Sequence, residues 1–184
     1  MKNFYHFLER LSIGKLHMLF LFFSFFISNA QVTTNSGSGL AATYPNLASA
    51  ITALNGATIT SPVVITLTGN ETAPAGGYSI TAQGNATNTI TIEGVTSTIT
   101  ANAALTAGAL NDAVFKLVGA DYVTIRSFTM LENTGNTITA AATNTMTEWG
   151  IALLYATTTN GAQNNTLQGN TIDLNRTYQN TFGI

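Results

Sequence analysis

No cysteine occurs anywhere in this chain. Disulfides, thiolate metal sites and a lipid-modified amino-terminal cysteine are therefore excluded. Charge is scarce as well, with six basic and eight acidic side chains in 184 residues. Both histidines, His6 and His17, lie in the first thirty residues, together with Lys2, Arg10, Lys15 and Glu9. If that segment is removed, three basic residues face seven acids, a formal charge of −4, and no imidazole remains. A Ser-His-Asp triad needs its imidazole, and zinc sites built on His or Cys need those ligands. Three scattered cations cannot neutralise a row of phosphates, so nucleic acid is not expected as a partner.

Removal of that segment is what the sequence predicts. The basic start leads into an apolar run from Met18 to Ile27, and Ser28-Asn29-Ala30 supplies small residues before a cut ahead of Gln31. This is the three-part layout of a secretory signal. The apolar run is shorter than the roughly 20 residues needed to span a bilayer, so no stable membrane span is expected after cleavage. Residues 1–30 are read as a signal peptide, 31–40 as a flexible Ser/Gly lead-in and 41–184 as the folded part. The product is expected to be secreted or held at the cell surface.

Within the remaining chain, Thr, Ala, Asn and Gly dominate, but aliphatic residues recur in ordered clusters. Three phrases nearly repeat: Thr89-Ile-Thr-Ile-Glu-Gly94, Tyr122-Val-Thr-Ile-Arg-Ser127 and Asn165-Thr-Leu-Gln-Gly169. Each alternates apolar with polar residues, the period of a strand, and then breaks at a small residue. Repetition of a strand phrase is the mark of stacked architectures, and a parallel β-solenoid is expected. Aligning Ile92, Ile125 and Leu167 gives separations of 33 and 42 residues, which requires loops between strands. The Thr-, Asn- and Ala-rich stretch from Glu132 to Glu148 is one such loop.

If the phrases stack in register, Ile92, Ile125 and Leu167 point inward, while Glu93, Arg126 and Gln168 point outward. Glu93 and Arg126 can then pair across the ladder. Further strands are expected at Val63–Thr68, Tyr78–Thr81, Thr98–Thr100, Val114–Val118, Tyr122–Met130, Ile151–Tyr155 and Asn165–Leu174. One helix is expected: Asn46 caps it, Leu47, Ala50, Ile51 and Leu54 share a face, and Asn55-Gly56 ends it. Its apolar stripe is too short to stand alone and must cover something, namely the open end of the first coil. A β-sandwich, with antiparallel pairing, is the alternative all-β arrangement.

Tyr44 to Leu54 followed by Pro62 to Leu67 resembles the amino-terminal cap and first coil of right-handed parallel β-helix proteins of the pectate-lyase-like superfamily. Phe115 to Phe128 is similar to their rung phrase. Trp149 to Tyr155 and Gly169 to Thr177 resemble segments of large secreted surface proteins of the Bacteroidetes, which typically carry a carboxy-terminal type IX secretion signal. The resemblance implies an all-β, right-handed parallel β-helix with a short amino-terminal capping helix. It also implies that the chain, ending at Phe182-Gly-Ile184, is a fragment truncated before its carboxy-terminal cap.

No catalytic residue of the superfamily can be carried over: Asn170-Thr-Ile-Asp173 only echoes an acid-bearing motif of pectin hydrolases, and no Gly-His-Gly exists. The expectation is thus a non-catalytic, adhesin-like or glycan-binding surface module. The amino-terminal portion of a polysaccharide lyase or glycoside hydrolase is the alternative. No cofactor and no metal are expected. The carbohydrate-binding candidates are Trp149, as a stacking surface, and Asp173, Asn175 and Arg176, as partners for a sugar hydroxyl or carboxylate. Extracellular polysaccharide is the expected partner, and self-association through the uncapped carboxy end is a second expectation. Asp112 and Asp121 are read as turn residues, and Asn164, Asn165 and Asn170 as corner or ladder amides.

Overall fold

The structure, a computed structural model, describes residues 31–102, 112–136, 147, 149–175 and 181–184. The expected signal peptide, most of the 132–148 loop and Arg176 lie outside these residues.

Strand β1 (Val32–Thr34) and β2 (Thr43–Tyr44) flank a 3-10 turn at Gly37–Gly39, and helix α1 (Leu47–Gly56) follows. From there the chain makes repeated circuits. The first comprises β3 (Val63–Leu67), β4 (Glu71–Thr72) and β5 (Tyr78–Ile80). The second comprises β6 (Ile90–Gly94), β7 (Thr98–Thr100) and β8 (Ala113–Val118), and the third β9 (Val123–Arg126), β10 (Thr129–Leu131) and β11 (Trp149–Leu154). Strands β12 (Thr166–Gln168) and β13 (Thr171–Asp173) begin a fourth.

Corresponding strands of successive circuits collect into three sheets, ordered β12-β9-β6-β3-β1-β2, β13-β10-β7-β4 and β11-β8-β5. Among the described residues every strand-to-strand pairing within the circuits is parallel, whereas β1 runs antiparallel to both β2 and β3.

The expected all-β, right-handed parallel β-helix is corrected by this arrangement. The described residues form a mixed α/β fold in which three sheets are separate and the largest is mixed in strand direction. The helix is part of the core. It buries Leu47, Ala50, Ile51 and Leu54, the four residues whose spacing predicts one apolar face.

The register expected between the three phrases is present. Ile65 pairs with Ile92, Ile92 with Ile125 and Ile125 with Leu167. Ile65, Ile92 and Ile125 are fully buried, and Leu167 packs at the margin of the same cluster. Alternation explains the inward set, since every second side chain of a strand shares a face. A row of rings runs beside it: Tyr78, Phe115 and Phe128 lie with successive centroids 5.2 Å apart. Gly94 makes room for this row, because a Cβ there would sit 2.6 Å from the Phe128 ring.

Two long strands expected from the sequence are each divided. Tyr122–Met130 breaks between β9 and β10 at Ser127, and Asn165–Leu174 breaks between β12 and β13 at Gly169. Both break residues have φ of 61°. The left-handed turn moves the chain from one sheet to the next. At the Ser127 corner, a residue with a side chain occupies a conformation that usually favours glycine. The segment read as lead-in also contributes: Asn35 accepts from Val64 N and donates to Pro62 O, both at 3.0 Å.

Candidate functional site

Strand β10 lies in register with β13, so Leu131 stands beside Asp173. The chain beyond each strand then forms one wall of a shallow groove of about 430 Å³, lined by Glu132, Asn133, Asn136, Asp173 and Asn175 among others. Its geometry is set by main-chain and carboxylate bonds. Glu132 N donates to Asp173 O at 3.0 Å. Glu132 Oε1 accepts from Asn133 N at 3.1 Å and from the Asn136 side-chain amide, while Oε2 accepts from Asn175 N at 3.4 Å. Asn133 is fixed from below, donating to Ala101 O at 3.0 Å.

Asn136 is 7 % exposed, and its Oδ1 has no hydrogen-bond partner among the described residues. Among the described lining residues there are two carboxylates, several amides and no cation. Such a lining can donate to and accept from hydroxyl groups, and it repels anions. No group of three or more His, Cys, Asp or Glu suited to a metal ion occurs among the described residues.

Of the four expected sugar-binding residues, the structure brings Asp173 and Asn175 together in this groove. Trp149 does not line it. The indole stacks on Phe182 with centroids 4.6 Å apart and planes 22° from parallel, so one ring face is already covered. Its backbone N donates to Asp112 O at 3.0 Å, and its Nε1 is buried without a partner among the described residues. Arg176 lies outside the described residues.

Glu132 stands out in the sequence only as one of the few acids suited to acid–base work or to calcium, and Asn133 and Asn136 do not stand out as sugar-binding residues. The signal was present, however: the 42-residue offset that aligns Leu167 with Ile125 also aligns Asp173 with Leu131 and Asn175 with Asn133.

Other expected residues have structural partners. Arg126 Nε donates to Glu93 Oε2 at 2.7 Å, with a second bond from Nη2, and Thr66 Oγ1 donates to Glu93 Oε1 at 3.0 Å. Gln168 follows in register, which completes an outward polar ladder beside an open groove of about 470 Å³. Asp121 Oδ1 accepts from Gln163 N at 2.8 Å. Asn165 bridges Val123 N and Ala120 O, and Asn170 bridges Phe128 N and Ile125 O, so both amides staple one circuit to the next at its corners.

Glu71 accepts from Leu47 N at the start of α1 and from the Tyr78 hydroxyl at 2.8 Å. Burial, reinforced by the Glu71 charge and this hydrogen bond, pushes the Tyr78 phenol far above its ordinary range. No helix among the described residues is long and apolar enough to cross a membrane. No protein family, curated protein or solved structure matches this chain.

Proposed function

We propose that this chain is an exported, non-catalytic surface module that binds neutral polysaccharide in the groove formed by Glu132–Asn136 and Asp173–Asn175. The leader-like residues 1–30 support export, as does the resemblance of Trp149–Tyr155 and Gly169–Thr177 to exported surface proteins of the Bacteroidetes. The observation that carries the binding reading is the convergence of two carboxylates and three asparagines in one open groove. Carboxylate and amide pairs hold vicinal hydroxyls by bidentate hydrogen bonds. The absence of a cation among the described lining residues favours uncharged sugars over uronic acids.

Titration of residues 31–184 with neutral and acidic polysaccharides tests this. Binding to neutral chains, weakened about tenfold or more by Asp173→Ala (~1.4 kcal/mol) and unaffected by Arg126→Ala, is the expected result. No binding to any neutral polysaccharide contradicts it. Shortened or unsaturated products after incubation would instead identify a lyase or hydrolase.

A further inference from the structure

Glycine follows asparagine twice in the chain, at Asn55-Gly56 and at Asn160-Gly161, and both pairs stand in the same tripeptide, Asn-Gly-Ala. A glycine in that position leaves the next main-chain nitrogen without a Cβ to shield it, so the nitrogen can close on the asparagine amide. With the same local sequence, the two sites differ chiefly in how the fold holds them.

Asn55 is held firmly. Its Oδ1 accepts from Thr81 N at 2.8 Å and from Ala82 N at 3.3 Å, and its Nδ2 donates to Ser79 O at 2.8 Å. Gly56 is the last residue of α1, where the helical backbone keeps its nitrogen in the ladder of main-chain hydrogen bonds.

Asn160 is held only through its main chain. Asn160 N donates to Thr157 O at 3.1 Å, and Ala156 N donates to Asn160 O at 2.8 Å, which closes an exposed turn. Among the described residues none hydrogen-bonds the Asn160 side chain. Its amide rests on bare Gly119 instead, where a Cβ would stand 2.7 Å from Nδ2 and 3.0 Å from Cγ. Gly161 is buried against the Tyr155 ring, which is itself 72 % exposed. Uncovering its nitrogen therefore requires movement of a surface side chain rather than of the core.

We propose that Asn160 is a site of spontaneous covalent modification, at which Gly161 N attacks Asn160 Cγ. The new N–C bond closes a succinimide ring. The Cγ–Nδ2 bond breaks, and Nδ2 leaves as ammonia with the proton that Gly161 N gives up. Water then opens the ring at either carbonyl, leaving aspartate or isoaspartate. An amide free to turn reaches the attack geometry directly, whereas that of Asn55 must first give up its bonds. Either product places a negative charge beside Gly119, and isoaspartate also lengthens the main chain between β11 and β12. This inference is independent of the glycan groove reading.

Incubation of the purified chain in warm, mildly alkaline buffer, followed by peptide mapping with mass spectrometry, reads the outcome. Aspartate and isoaspartate are expected at position 160 at least about tenfold faster than at position 55, because three hydrogen bonds protect the latter. The gap closes when the chain is unfolded in urea. Asn160→Gln, which must close a larger ring, removes the signal at its own position and leaves the Asn55 rate unchanged. Equal rates at the two sites in the folded chain, faster reaction at Asn55, a gap that persists in urea, or an intact Asn160 in a folded chain whose unfolded form reacts would each overturn the proposal.

Discussion

The two ends of the stacked sheets are finished in opposite ways. At the first end a ten-residue helix and two antiparallel strands cover the core. Polar side chains take up backbone groups there: Asn35 on Val64 and Pro62, Asn55 on Ser79 and Thr81, and Glu71 on Leu47. At the last described end, β11 leaves Leu153 exposed, and Phe182 and Ile184, beyond the last strand, are exposed as well. Leu117 and Leu153, neighbours in one register, are buried and exposed respectively, according to whether a described strand flanks them on both sides. Burial in this fold comes from layering: Ile125 is fully buried between Ile92 and Leu167, and Ile80 is fully buried beside Leu117 on a strand that α1 contacts.

The largest expected effect compares two positions in one column. Ile125→Ala, sandwiched between Ile92 and Leu167, should cost on the order of 2–5 kcal/mol. Leu167→Ala, partly buried and with a described column neighbour on one side only, should cost about 1 kcal/mol. Chemical denaturation of both variants reads the difference, and equal losses would break the comparison.

Asn55→Ala should follow, at about 1–3 kcal/mol, because it leaves edge groups of β5 without their side-chain partner.

Tyr78 gives a pH-dependent version. Its folded pKa is raised by burial first and by Glu71 second, so the folded state holds the phenolic proton more tightly than the unfolded chain. Its contribution is fully present below the unfolded value of about 10 and declines as pH rises beyond it. Tyr78→Phe should cost about 1 kcal/mol at neutral pH and flatten the alkaline loss measured by thermal melts.

The smallest effect belongs to Glu93 and Arg126. Their ladder is at the surface, with the Arg126 side chain 45 % exposed. A double-mutant cycle should return about 0–1 kcal/mol, reduced by salt.

Much of the local structure was legible in the sequence because it rests on periodicity. The helix face and its Asn46 cap, the Ile92–Ile125–Leu167 register and the Glu93–Arg126 pair all follow from spacing alone. The break at Ser127 is legible as the small residue that ends its phrase, but not that it is left-handed and passes the chain into a second sheet, since a left-handed serine has no sequence mark comparable to Gly169. Nor was the antiparallel β1, which lies in a Ser/Gly-rich segment and depends on Asn35 reaching residues almost thirty positions away. These features, together with the helix within the core, turn an expected all-β solenoid into a mixed α/β arrangement of three sheets. The groove is half legible: Asp173 and Asn175 stand out as an acid and an amide side by side near one expected strand, whereas placing Glu132 and Asn133 beside them needs the 42-residue offset applied one strand further on. Trp149 offers a ring for stacking, but Phe182 already occupies one face of it.

Native-state hydrogen exchange along the first sheet tests most directly the claim that stability comes from being layered on both sides. Amides of β6 and β9, held between neighbours, should exchange only through global unfolding, while those of β12 should exchange through local opening at far lower free energy. Equal protection of β12 and β9 in the monomer would contradict it.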